Sequence, residues 1–229
     1  MEENRIYNCN CIDFMKTLKN NSIPLVLTDI PYEEVSRDMH GICNMNLQLG
    51  AADRGTFTLD EFLPEVWRIT QSIGIIFCGR EQFSKIYTYF TSDNLKNKCT
   101  VRPIVWEKTN PVPANGQYVY LSGVEFAVWF KKKGTKGFKA HCKNTVFRYP
   151  IPSGKFKIHQ TQKHKELFKE LILDNSSEED IVYDPCGGSF VTAWAAIETN
   201  RKFLINELDK EIYDKSLKFI EKEYNYGKI

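Results

Sequence analysis

Ile181-Val182-Tyr183-Asp184-Pro185-Cys186-Gly187-Gly188-Ser189 is the stretch on which the reading of this 229-residue chain depends. An apolar strand ends in a carboxylate, a glycine turn follows, and a helix-forming run opens near Val191. Small residues are needed where a backbone must approach a ligand closely, because a side chain would occupy the ligand's space. Strand, glycine turn and helix in that order make a cradle for a nucleoside cofactor. The next apolar strand ends at Glu207, 23 residues after Asp184, close to the ~20 at which a dinucleotide-type fold sets its ribose-binding carboxylate. An ordinary strand-to-helix turn explains the glycines but not the acid. No G-x-x-x-x-G-K-[ST] occurs, which excludes a phosphate loop. Cys186 has Ser189, not a second cysteine, three residues on, so the P-C-x-x-C of a zinc deaminase is missing and it reads as a small turn residue.

Outward from this turn, short apolar runs alternate with helix-length amphipathic stretches, the pattern of an α/β sheet with helices on both faces. Strands are expected at Arg5–Asn8, Pro24–Asp29, Gly74–Cys78, Arg102–Glu107, Val124–Phe130, Ile181–Asp184 and Phe203–Glu207. Helices are expected at Ile12–Leu18, Leu59–Thr70, Gln82–Thr91, Lys163–Leu173, Val191–Thr199 and Lys210–Glu223. That gives one Rossmann-like domain over residues 1–229, with a mostly parallel seven-stranded sheet and a hairpin-like final strand. Glu33–Thr58 and Gly134–Ile158 exceed the ~12–15 residues of an ordinary loop, which marks each as a candidate substrate-facing or partly mobile segment.

Composition is globular, with 42% apolar, 26% charged and 13% aromatic residues. No run approaches the ~20 apolar residues of a membrane span, and Met1–Arg5 lacks a signal-peptide pattern, so a soluble, cytoplasmic protein without membrane contact is expected. Seven cysteines form no C-x-x-C pair and four histidines give no ligand spacing, which points to reduced thiols and no metal. The net charge of +2 hides an asymmetry: from Lys131 to Lys165 the chain has eleven cations and no Asp or Glu. Such a run is either a solvated face or an anion-binding one; interleaved Phe138, Phe147, Tyr149 and Phe156 favour nucleic acid. Lys131, Lys132, Lys133, Lys136, Lys139, Lys143 and Arg148 are the expected phosphate contacts, and residues 33–58 and 131–158 the expected DNA-facing segments.

Thr28-Asp29-Ile30-Pro31-Tyr32 closes the second expected strand with a carboxylate, a rigid turn and an aromatic ring. A strand end with a turn proline accounts for it blandly. Chemistry offers a sharper account. An exocyclic amino nitrogen is a poor nucleophile because its lone pair is delocalised into the ring. A carboxylate and a rigidly held carbonyl, accepting its protons, make methyl transfer to it feasible. An adjacent ring stacks on a base that has left the helix. Asp29, the Ile30 carbonyl and Tyr32 fit those roles.

At these residues the chain resembles the amino-methylating DNA methyltransferases of the circularly permuted beta type, among their smallest members, without a large recognition domain. Asp29-Ile30-Pro31-Tyr32 resembles the family's D-P-P-Y, and Asp184 to Thr192 its D-P-F-x-G-S-G-T-T. His159-Gln160-Thr161-Gln162-Lys163-His164 resembles H-P-T-Q-K-P, beside the methionine end of the cofactor. Glu207 resembles the ribose-binding acid, and Asp13 the acid at the cofactor's adenine. Trp106 to Pro111 and Glu125 to Trp129 resemble the middle strands. The resemblance implies S-adenosylmethionine as cofactor, held by Asp13, Thr161, Gln162, Lys163, Asp184, Pro185, Cys186, Gly187, Gly188, Ser189 and Glu207. It implies methyl transfer to N6 of adenine in double-stranded DNA, as in a restriction-modification system, with Asp29, Ile30, Pro31 and Tyr32 catalytic. N4-cytosine transfer and a catalytically degenerate DNA-binding homologue are the alternatives; a homodimer and a cognate restriction endonuclease are further candidate partners. Three departures stand out. Ile30 replaces a proline, which is expected to loosen the turn; Cys186 replaces a common Phe; and Phe190 replaces the last glycine, which is expected to narrow the cofactor site or move the helix start.

Overall fold

The computed structural model describes residues 3–32, 57–113, 116–154, 157–158 and 161–224. In chain order they form β1 (Arg5–Asn8), α1 (Cys11–Thr17), β2 (Ile23–Asp29), α2 (Leu59–Ile69), β3 (Thr70–Cys78), α3 (Arg80–Thr91), β4 (Cys99–Lys108), β5 (Val124–Lys132), β6 (Val146–Tyr149), α4 (Lys165–Asn175), β7 (Ile181–Asp184), α5 (Val191–Glu198), β8 (Lys202–Glu207) and α6 (Lys210–Tyr224). The strands make one sheet in the order β1-β8-β7-β2-β3-β5-β4-β6. β5 runs antiparallel to its neighbours β3 and β4, and the remaining pairs are parallel.

A strand covered on both faces must be apolar almost throughout, and β2 is. Leu25 and Leu27 pack with Phe168, Trp194 and Ile220 of α4, α5 and α6, while Val26 packs with Met15, Phe62 and Ile86 of α1, α2 and α3. α2 begins with a full capping box: Thr58 accepts from the Glu61 N–H and the Glu61 carboxylate accepts from the Thr58 N–H. That arrangement satisfies two orphan donors at once.

The sheet departs from the sequence reading in three places. It has eight strands among the described residues, because β6 lies inside the stretch read as irregular. Only Phe147 of its four residues is buried, so its alternation is too brief to register. The antiparallel strand is β5, inside the sheet, whereas the last strand, β8, runs parallel to both β1 and β7. β3 begins at Thr70, four residues before Gly74. A Cβ on Gly74 would sit 2.2 Å from the ring of Phe130 across the strand pair, so this glycine makes room for a ring and does not end the strand. Residues 33–56 of the first expected DNA-facing segment lie outside the described residues.

The connection β7–α5–β8 runs over one face and β2–α2–β3 over the other, so the adjacent strands β7 and β2 part their chains at their carboxyl ends. Open α/β sheets bind ligands at such a switch point. Asp184 and Asp29 are the last residues of those two strands.

Candidate active site

At the end of β7 the Asp184 carboxylate is buried and fully engaged. Oδ1 accepts from Thr28 Oγ1 at 2.8 Å and from the Cys186 N–H at 3.0 Å, and Oδ2 from Thr192 Oγ1 at 2.5 Å. Burial pushes its pKa up to about 7 against the pull of those donors. The turn then runs flat against β8: Gly187 N–H donates to the Asn206 carbonyl at 2.7 Å, and a Cβ there would stand 2.3 Å from Ile205 Cγ2. Gly188 N–H donates to Glu207 Oε2 at 2.7 Å, and Asp209 N–H to Oε1 at 2.8 Å. Pro185 and Ser189 are buried, and Cys186 is half-buried beside Cys11. Phe190 is the N-cap of α5 with φ +58°, the conformation a glycine adopts freely and a side chain at a cost of ~1–3 kcal/mol. Its ring is wholly buried in the core, 5.9 Å from Tyr213, and α5 still begins at Val191. The expected displacement of the helix start does not occur.

One strand away, Asp29 stands in a charge network. Its Oδ2 accepts from Lys163 Nζ at 2.6 Å, and Lys163 also meets Glu125 Oε2 at 2.8 Å. Glu125 in turn takes Lys108 on Oε1 at 2.8 Å and the Tyr32 hydroxyl on Oε2 at 3.0 Å. The Lys163 ammonium sits 4.9 Å from the Tyr32 ring centroid, and its side chain is only 3% exposed. Burial raises the Asp29 pKa and Lys163 opposes the rise. For Glu125 burial also acts upward, but Lys163 and Lys108 outweigh it and hold the carboxylate at about 2. Lys163 stays charged, because its two carboxylates overcome its own desolvation. Asp29 Oδ1 is buried without a hydrogen-bond partner among the described residues.

Two residues outside the expected set tie the turn down. Gln82, near the start of α3, donates from Nε2 to the Pro31 carbonyl at 2.9 Å and accepts the Gly79 N–H on Oε1 at 2.9 Å. Glu125 holds Tyr32. Ile30, expected to loosen the turn, is buried and donates its N–H to the Phe77 carbonyl at 3.1 Å, a bond a proline cannot make. The turn is held by other means.

The sequence profile of the DNA methylase family, covering N6 and N4 amino-methyltransferases, matches residues 23–218. The chain belongs to this family. It is 25% identical over 238 residues to the type II methyltransferase M2.MboI of Moraxella bovis, covering 92% of this chain and 85% of that protein. The crystal structure of the M1.HpyAVI complex with S-adenosylmethionine superposes with a TM-score of 0.70 at 25% identity, covering 94% of this chain and 98% of that one. The cytosine-N4-specific PvuII methyltransferase shares the fold, with a TM-score of 0.73 at 15% identity over 95% of this chain and 86% of that one.

The methyltransferase therefore uses S-adenosylmethionine, and its residues fit that group. The turn backbone at Gly187–Gly188 is bare of side chains, Glu207 lies one strand on, and an unpartnered carboxylate oxygen of Asp29 waits beside them. Asp13 is exposed in the first turn of α1, paired loosely with Lys16 at 3.8 Å. Gln162 is buried and its Oε1 accepts from the Ile158 N–H at 2.9 Å, whereas Thr161 is exposed. His159 and Gln160 lie outside the described residues.

The basic segment of the methyltransferase is spread over the molecule. Because β5 is antiparallel, Lys131 and Lys132 pair beside Ile73, Thr100 and Cys99 at the end of the sheet opposite Asp29. Lys133 follows there, its N–H on the Lys98 carbonyl. Lys132 is half-buried; it donates to Asn21 Oδ1 at 2.8 Å and to the Trp67 carbonyl at 2.7 Å, and lies 4.2 Å over the Trp67 ring. Burial lowers its pKa to about 8. Lys136 and Lys139 are exposed near that end, where the Lys136 carbonyl accepts from Ser72 and the Lys139 N–H meets the Asp174 carbonyl. Lys143 pairs with Glu170 and Asp174 at 2.7 and 2.5 Å, and Arg148 with Glu107 at 3.0 Å. Acids from β4 and α4 thus offset part of the charge run, at Lys143 and Arg148.

Proposed function

We propose that this protein methylates N6 of adenine in double-stranded DNA. The observation that carries the reading is Asp29 Oδ1, a buried acceptor without a partner among the described residues, at the strand end beside the cofactor turn. An aspartate there, in a D-x-P-Y turn, resembles the adenine-modifying members of the family. The cofactor supplies the methyl group as a sulfonium electrophile. This chain's residues do the rest. The glycine turn, braced by Asp184, holds the cofactor with Glu207 on its ribose. Asp29 Oδ1 accepts a proton of the target amine and so returns lone-pair density to nitrogen. Tyr32 stacks on the base, which must leave the duplex to expose its amino group.

The DNA-facing surface in this reading is the end of the sheet that carries Asp29, not the end that carries Lys131–Lys133. The hairpin between β4 and β5 rises from Lys108 and Glu125, both in the Asp29 network, and residues 109–123 contain no charged residue. Tyr118 and Tyr120 on it are 80% and 102% exposed. Neutral, exposed rings beside a catalytic turn suit contact with bases rather than phosphates. Labelled methyl transfer to unmodified DNA, followed by nucleoside digestion, tests the proposal. N6-methyladenine is expected; N4-methylcytosine corrects the base, and DNA binding without transfer marks a degenerate homologue.

A further inference from the structure

Lys163 belongs to the segment whose resemblance places it beside the cofactor's methionine end, and its ammonium is held by two carboxylates. Its ion-pair partners among the described residues are Asp29 and Glu125. A lysine is not buried at this depth without strong compensation, and here two carboxylates from different strands provide it. One of them is the catalytic acid of the reading above. The lysine takes Oδ2 of that acid and leaves Oδ1 bare. Glu125 closes the arrangement by binding Lys163, Lys108 and the Tyr32 hydroxyl at once.

We infer that Lys163 and Glu125 are positioning residues for the transfer. Lys163 anchors one oxygen of Asp29 so that the other faces the target amine, and Glu125 keeps Lys163 and the Tyr32 ring in register. The inference rests on the proposed amino-methyl transfer and assigns two of its parts. It also separates Lys163 from cofactor binding: the link between the segment before α4 and the catalytic turn is an ion pair, not a shared ligand contact.

The electrostatics give the two residues opposite signatures. The groups facing Asp29 are Lys163 before α4, Glu125 on β5 with Lys108 of β4 behind it, Tyr32 in the turn, Cys78 at the end of β3 and Asp184 of β7. Burial holds the Cys78 thiol up at about 12, so it stays neutral near pH 7. Lys163 is the cation that pulls the Asp29 pKa down, and Glu125 is an anion that pushes it up. Lys163→Met therefore moves the acid limb of single-turnover methylation to higher pH, whereas Glu125→Gln moves it to lower pH.

The experiment is single-turnover methylation of unmodified DNA from pH 5 to 9 at saturating S-adenosylmethionine, with cofactor Kd measured by calorimetry. Wild type, Lys163→Met, Lys163→Arg and Glu125→Gln are compared. Lys163→Met is expected to lose ~10²-fold in plateau rate, to shift its acid limb up by about one unit, and to keep Kd within about threefold; Lys163→Arg restores part of the rate. A tenfold rise in Kd with the plateau rate intact returns Lys163 to the cofactor and overturns the inference. A rate lowered evenly at all pH, or limbs moving the same way in both variants, overturns it too. A second readout needs no turnover. Without Lys163, Asp29 and Glu125 repel each other once ionised, so their folded pKa values rise above the unfolded ones, and stability falls as pH rises through that window. The Tm deficit of Lys163→Met is then larger at pH 7 than at pH 4.5. An equal deficit at both overturns the inference, whereas wild-type protein that binds the cofactor but methylates no DNA overturns the parent reading. If Lys163→Met does not fold, the Glu125→Gln limb and the Lys163→Arg rate still decide.

Discussion

Two neighbouring strands, β2 and β7, end in the same residue type, and the two aspartates do different things. Asp184 has both oxygens engaged, by two threonine hydroxyls and a backbone N–H. Asp29 has one oxygen on a buried lysine and the other on nothing among the described residues. A satisfied buried carboxylate fixes its surroundings; one left half-satisfied carries a desolvation cost that an incoming donor removes. Asp184 holds the turn together, and Asp29 holds an acceptor ready. Thr28, next to Asp29 and bonded to Asp184, joins the two sites.

The contrast breaks if substitution costs fall the wrong way round. Asp184→Ala leaves two hydroxyls and an N–H without their buried acceptor, so about 3 kcal/mol or more of stability should go, read from urea unfolding. Asp29→Asn keeps an oxygen for Lys163, whose charge Glu125 still pairs, and should cost less, about 1–2 kcal/mol by the same measure. In single-turnover methylation, however, Asp29→Asn should lose ~10²–10³-fold, about 2.7–4 kcal/mol, with cofactor affinity unchanged. A stable Asp184→Ala protein, or an active Asp29→Asn one, would exchange the roles.

Glu207 sharpens the cofactor side. Its charged oxygens are poised beside the glycine turn, and Glu207→Ala should weaken S-adenosylmethionine binding by about 1.5–3 kcal/mol in calorimetry. The smallest effect is expected at the far end of the sheet. Lys131→Ala with Lys133→Ala should leave transfer within about threefold, while Tyr118→Ala with Tyr120→Ala should weaken the DNA complex by ~1–3 kcal/mol for each base left unstacked. Salt-dependent binding assays separate the two, since removing a cation from a phosphate flattens the log–log slope by ~0.9. A flatter slope in the lysine variant would bring that end of the sheet back to DNA.

The elements of the proposed site were legible because burial on two faces and a glycine turn leave local marks. β7 and its turn, β2 with Asp29, and Glu207 all read from short runs of consecutive residues. Long-range pairing leaves no such mark. Lys163 lies 134 residues from Asp29 in sequence, so the resemblance that set it apart from the other cations of its segment gave no sign of the carboxylates it pairs with. Gln82 was hidden likewise, as an ordinary polar residue near a helix start. The basic segment read as one unrelieved run because sequence shows charges along the chain but not the acids that fold onto Lys143 and Arg148: Glu170, Asp174 and Glu107 come from α4 and β4. Ile30 misled in the opposite sense, since its N–H finds the β3 carbonyl that a proline would leave unused.

The pairing of β1 with β8 sets an order of events during synthesis. Arg5 to Asn8 lie beside Leu204 to Glu207, and the Asn8 side chain binds the Glu207 carbonyl across 199 positions. β1 must wait for β8, its neighbour among the described strands, before it is paired. Contacts of such separation form slowly, and until they form β1 is an unpaired strand with no sheet to join. Glu207 ends β8 and arrives at that same moment, so the nascent chain gains the acid that braces its glycine turn and the partner of β1 together.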